Sequence, residues 1–184
     1  MVSLGGLINN NALAWTYKEA INGHEENPSK ALWTALLSLY FPSSQGFIVT
    51  PRLRQGTDIT TRPDFVVEKI EDDGVVFTQI ILCREKPQVQ TESQDLAADS
   101  QAVLYGQQAL QVAERRGIRQ KMVFVFRRPV GVLIKPCRLE RDNPTALIPL
   151  SNDFLDPKQD AVEMFQVFAT IKSAVILDQA TPTT

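Results

Sequence analysis

The spacing of apolar and polar positions divides the chain into helices and strands. Apolar residues at helical spacing predict helices over 12–22, 30–40, 91–116 and 158–175. Apolar runs rich in β-branched residues predict strands over 46–53, 64–70, 75–84, 121–126 and 130–138. This order predicts an α/β fold of the mixed α+β kind, in which a central mixed β-sheet is flanked by helices.

Local signals refine this picture. The sequence EDDG at 71–74 predicts a tight hairpin turn between two strands. Ser29 is predicted to cap the second helix, and Gly117 to end the third. The predicted apolar face of the second helix comprises Leu32, Ala35, Leu36 and Leu39. That of the third comprises Ala98, Ala102, Tyr105, Ala109 and Val112.

Length and composition are those of one ordinary globular domain. The chain has 184 residues, 43% of them hydrophobic and 22% charged, which predicts a single domain over 1–178 and a tail over 179–184. Two distant cysteines, Cys83 and Cys137, exclude a disulfide framework and a four-cysteine zinc site. The start of the chain lacks a basic segment before an apolar one, and no apolar run reaches the roughly 20 residues of a membrane span. We therefore expect an intracellular protein of the cytoplasm or nucleus, neither secreted nor inserted in a membrane.

Charge is unevenly distributed along the chain. The net charge is −2, yet 112–141 holds nine basic and two acidic residues, a local charge of +7. Such a block suggests a surface that binds phosphates, although the same residues also suit solvated ends of a helix and strands. The candidate nucleic-acid-binding residues are Arg115, Arg116, Arg119, Arg127 and Arg128.

Candidate chemistry lies in RPDFVV at 62–67 and IILCREK at 80–86. Carboxylates at the ends of adjacent strands can hold Mg²⁺, which prefers oxygen ligands. These motifs resemble the PD-(D/E)XK superfamily, the restriction-endonuclease-like nucleases, and especially fungal members in which RPDFVV precedes a strand reading V-I-E-C-K-R. Gln101 and Tyr105 match a Gln and Tyr that such proteins often carry four residues apart on the next helix. The resemblance covers about 46–126 and implies Mg²⁺-dependent phosphodiester cleavage, on a fold with a leading helix, three strands, a helix and a returning strand.

The chain departs from the family pattern at two positions. Aligning Cys83 with the family's cysteine puts Leu82 in place of the metal-binding Glu and Arg84 in place of the catalytic Lys. Leucine cannot bind a metal, and arginine, with a pKa above about 12, is a poor base. The resemblance leaves Asp64, Arg84, Glu85 and Gln101 as candidate catalytic residues. The candidate Mg²⁺ ligands are Asp64, Glu85 and Glu19, although strand alternation turns Glu85 away from Leu82 unless a bulge intervenes.

Three functions remain open at this point. The favoured one is a nuclease-like protein with a degraded or rearranged metal site, which binds nucleic acid or a partner and cleaves weakly or not at all. The second is an active Mg²⁺-dependent nuclease with a migrated carboxylate, Glu85 or Glu19. The third is a non-catalytic α/β interaction module, binding a protein partner or a second copy of itself.

Overall fold

The structure is a computed structural model that describes residues 7–8, 10–22, 26–51, 63–84, 92–128 and 132–177. It contains the helices α1 (Asn11–Asn22), α2 (Glu26–Tyr40), α3 (Glu92–Arg115) and α4 (Ala161–Ser173). The strands are β1 (Phe47–Pro51), β2 (Phe65–Ile70), β3 (Val76–Arg84), β4 (Met122–Arg128), β5 (Lys135–Glu140) and β6 (Asn143–Pro149), and a short 3₁₀ turn (Ser43–Gln45) precedes β1. The predicted tail at 179–184 lies outside the described residues.

The six strands form one mixed sheet in the order β1-β2-β3-β4-β5-β6. Neighbouring strands are antiparallel except β3 and β4, which run parallel and are joined through α3. The predicted hairpin joins β2 and β3, and Gly74 adopts the left-handed φ of 83° that its turn requires. The predicted α/β class with a central mixed sheet flanked by helices is confirmed.

Helices pack on both faces of the sheet. On one face α1, α2 and α4 enclose the larger core, in which Leu82 of β3 and Phe126 of β4 are fully buried and Phe168 of α4 stacks on Phe126 at 6.1 Å. On the other face α3 packs against Cys83, Val125 and their neighbours. Within the described residues, no helix is both long and apolar enough to traverse a bilayer.

The prediction for α2 was wrong in two respects. The helix begins at Glu26, so Ser29 is not its cap but a buried residue inside it. Pro28 lies in the first turn, where a missing N–H costs little. The helix packs against both α1 and β1, so two adjacent residues in each turn are buried rather than one. That face comprises Leu32, Trp33, Leu36 and Leu37, whereas the predicted Ala35 and Leu39 are exposed.

Two further corrections concern α3 and β6. Val112 of α3 is 41% exposed, because the buried face continues from Tyr105 through Leu110 to Ala113. The strand β6 was not predicted. It carries Pro144 and Pro149 and is mostly exposed, and proline in a strand is tolerated best at a sheet edge.

Candidate functional site

Several of the candidate residues lie at one end of the sheet. Because β3 and β4 are parallel, their last residues, Arg84 and Arg128, lie opposite each other. At the same end β2 begins just after Asp64, and β5 begins at Lys135, which pairs with Arg127. The topology therefore places basic positions of three neighbouring strands at the same end of the sheet as Asp64. The side chains of Arg84 and Arg128, and the whole of Glu85, lie outside the described part of the chain.

Asp64 is held in place by the backbone of β3. Its N–H donates to the carbonyl oxygen of Leu82 at 2.9 Å, and its side chain is only 12% exposed. The Nζ atom of Lys30, from α2, lies 3.9 Å from Oδ1 of Asp64, and the Lys30 side chain is 33% exposed. At this distance of 3.9 Å the two groups form an ion pair, whereas a charge-assisted hydrogen bond would be about 1 Å shorter.

Leu82 lies where the resemblance requires a metal-binding Glu. It is 0% exposed and belongs to the larger core. Its neighbours across the sheet are Phe65 on β2 and Phe126 on β4, both buried. The position is therefore part of the apolar packing of the sheet.

On the other face, α3 brings Tyr105 near Asp64. The Nε2 of Gln101 donates to the phenol oxygen of Tyr105 at 2.9 Å, so these two predicted residues contact each other. Burial raises the pKa of Tyr105, the charges of Cys83 and Asp64 raise it further, and the hydrogen bond from Gln101 lowers it. Tyr105 therefore remains a neutral hydroxyl at physiological pH.

Arg127 and Lys135 form a second cationic group, of which only Arg127 was predicted as a site residue. Arg127 is 6% exposed and forms an ion pair of 2.5 Å with Asp99 of α3. The ring of Phe154 lies 6.0 Å from Cζ of Arg127 and 5.6 Å from Nζ of Lys135, within range of cation–π attraction. Sequence analysis found Arg127 but missed Lys30, Lys135, Asp99 and Phe154 as site residues, because these contacts join separate elements.

The described part of this site does not fit Mg²⁺. Within those residues, no three His, Cys, Asp or Glu side chains come together around a possible metal position. Mg²⁺ is usually held by one or two carboxylates and several waters. Here the Lys30 ammonium, 3.9 Å from Asp64, would repel the ion, and a buried leucine occupies the aligned ligand position. Glu19 is half-buried on α1.

The predicted nucleic-acid-binding arginines fall into two groups. Arg127 and Arg128 are at the end of β4, at the same end of the sheet as Asp64. Arg115, Arg116 and Arg119 are exposed at and after the end of α3, next to the start of β4. A strand of seven residues separates the groups by roughly 20 Å. The two groups therefore do not form one compact patch.

All three tyrosines of the chain are expected to ionise at a higher pH than a solvent-exposed tyrosine. Burial raises the pKa of Tyr40 to about 12 and also raises those of Tyr17 and Tyr105; for Tyr17 the hydrogen bonds to Asp156 add to the effect. In the unfolded chain they ionise near 10. Their contribution to stability is therefore complete below about pH 10 and is lost as pH rises through their raised pKa values, for Tyr40 about 12.

An alkaline titration followed at 295 nm checks this expectation. The native protein should show less tyrosinate absorbance at pH 10 than the protein in urea, in which the three tyrosines should be half-ionised. A native tyrosine that is half-ionised at pH 10 would contradict the buried placement of that ring.

A scan against protein-family models finds no matching family, and searches of curated proteins and of solved structures find no match to the chain. What the site can do therefore follows from its own residues. It combines a carboxylate beside an ammonium group, a neutral phenol, and basic positions at the ends of three neighbouring strands.

Proposed function

We propose that this chain is a nuclease-like protein of the PD-(D/E)XK type that binds the phosphate backbone of a nucleic acid and cleaves it weakly or not at all. The observation that carries the proposal is the pairing of Asp64 with Lys30, next to a fully buried Leu82. The order of elements supports it, since the resemblance implies a leading helix, three strands, a helix and a returning strand, and α2, β1 to β3, α3 and β4 follow one another in that order.

Backbone phosphates are the ligand that this charge pattern suits best. Phosphate contacts by Lys and Arg supply most sequence-independent affinity for nucleic acids. Lys30, Arg127 and Lys135 contribute three described cations at this end of the sheet, against Asp64 and Asp99. Arg84 and Arg128 end the two central strands at the same place.

The first test is the salt dependence of binding. Affinity for a fluorescent oligonucleotide, measured by anisotropy, should fall steeply as salt rises, because phosphate contacts release counterions. Lys135→Ala should reduce the slope of log K against log salt by about 1. Lys135 is a better target than Arg127, which is buried against Asp99 and whose loss would also disturb packing.

Lys18→Ala is the matched control, since it removes the same charge from the exposed side of α1. It should leave the slope unchanged. Binding that is absent at low salt, or equal at low and high salt, would contradict the proposal. Metal-dependent cleavage by the wild-type protein that disappears in Glu85→Ala would instead support the active-nuclease alternative.

A further inference from the structure

The ion pair between Lys30 and Asp64 indicates which cation this site uses. We infer that the ammonium group of Lys30 is the cation of this site: it neutralises Asp64 in the free protein and contacts a phosphate when nucleic acid binds. The inference rests on the proposed function, and it makes phosphate binding independent of divalent ions.

The geometry allows Lys30 to contact both groups. Its Nζ lies 3.9 Å from Asp64, while a third of its side chain faces solvent. An ammonium group has three donor hydrogens on a flexible stem, so it can reach a phosphate oxygen and stay near Asp64. The Asp64 side chain is mostly buried and its backbone is bonded to Leu82, so the carboxylate stays close to Lys30.

The surroundings disfavour a divalent ion at the same place. A metal bound to Asp64 would lie within a few ångströms of the Lys30 ammonium, a like-charge contact that weakens its binding. Leu82 offers it no ligand, and Tyr105 is a neutral hydroxyl rather than an anion. The described groups around Asp64 therefore favour its neutralisation by the Lys30 ammonium group over its neutralisation by a bound divalent ion.

This arrangement predicts the sign of one substitution. If Lys30 is the cation, Asp64→Asn removes a negative charge that competes with phosphate for it, so binding should become tighter. If Asp64 held a metal that contacts phosphate, the same change would remove a ligand, and binding in Mg²⁺ should become weaker. The two mechanisms therefore give opposite results for the same variant.

The experiment measures oligonucleotide affinity by anisotropy, in EDTA and in Mg²⁺, for wild type and four variants. Asp64→Asn should bind about fivefold more tightly, from the loss of one like charge near 4 Å. Lys30→Met should bind about tenfold more weakly, from the loss of one charge-assisted contact. Lys30→Arg should retain most of the affinity because the positive charge remains. Asp72→Asn is the control, as it removes the same charge from the exposed turn at the other end of β2.

Equal wild-type affinity in EDTA and in Mg²⁺, together with tighter binding by Asp64→Asn than by Asp72→Asn, supports the inference. Wild-type binding that requires Mg²⁺ and is lost in Asp64→Asn would overturn it while leaving the proposed function intact. Unchanged affinity in Lys30→Met, with a normal thermal transition, would also overturn it. Absence of wild-type binding at low salt would overturn both proposals.

Discussion

Leu82→Glu is expected to destabilise the protein by about 4 kcal/mol or more, a large part of the roughly 5–15 kcal/mol that stabilises a domain. Leu82 is fully buried in the larger core, between Phe65 and Phe126 on the neighbouring strands. A carboxyl group there loses apolar packing and must either remain protonated or be ionised without solvation. Urea unfolding followed by tryptophan fluorescence should show a much lower midpoint, or no folded baseline.

Leu82→Met is the matched control, because a side chain of similar volume should cost less than about 1.5 kcal/mol. The same variant tests the family resemblance. If positions 64 and 82 share a metal site, Mg²⁺ should raise the unfolding midpoint of Leu82→Glu but not of Leu82→Met, since a ligand stabilises the state that binds it. Adding Arg84→Lys to a folded Leu82→Glu variant should then give metal-dependent cleavage. A cost below about 1 kcal/mol for Leu82→Glu would contradict its place in the core.

The central hairpin could be predicted because its signals are local. The polar turn Glu71–Gly74 separates two apolar runs, and those runs alone nearly delimit β2 and β3. The strand β6 lacks such a signal: it lies at a sheet edge, is mostly exposed and contains Pro144 and Pro149. Its partner is the adjacent strand β5, and neither composition nor alternation reveals that pairing.

The site was predictable in part for the same reason. Asp64 lies at the start of an apolar strand, and Gln101 and Tyr105 are one helical turn apart, so their spacing alone suggests contact. Lys30 belongs to α2, and only the packing of that helix brings it to Asp64. A lysine on a helix otherwise resembles any solvated lysine, so no sequence signal distinguished it.

Gly106 allows α3, which carries Tyr105 and Asp99, to pack closely on the sheet. A Cβ atom at this position would lie 2.6 Å from Cδ2 of Leu139, 3.3 Å from its Cβ and 3.4 Å from Cγ2 of Val125. Leu139 and Val125 are fully buried, so a larger side chain at position 106 could be fitted only by rearranging side chains inside the packed core. The usual gain of up to about 1 kcal/mol for replacing a helical glycine by alanine should therefore not appear here. Gly106→Val should destabilise the protein by about 3 kcal/mol, the upper part of the range for overpacking.

The same substitution should also disturb the site, because a helix displaced from the sheet carries Tyr105 and Asp99 with it. Burial is the main cause of the raised pKa of Tyr105, so this tyrosine should ionise at lower pH in Gly106→Val, while Tyr17 and Tyr40 remain unchanged. Titration at 295 nm combined with urea unfolding measures both effects. Gln108→Val places the same side chain on the exposed side of α3 and should cost only about 0.5 kcal/mol, without changing the titration. Equal stability of the two variants would mean that α3 does not pack against Leu139 and Val125 through Gly106.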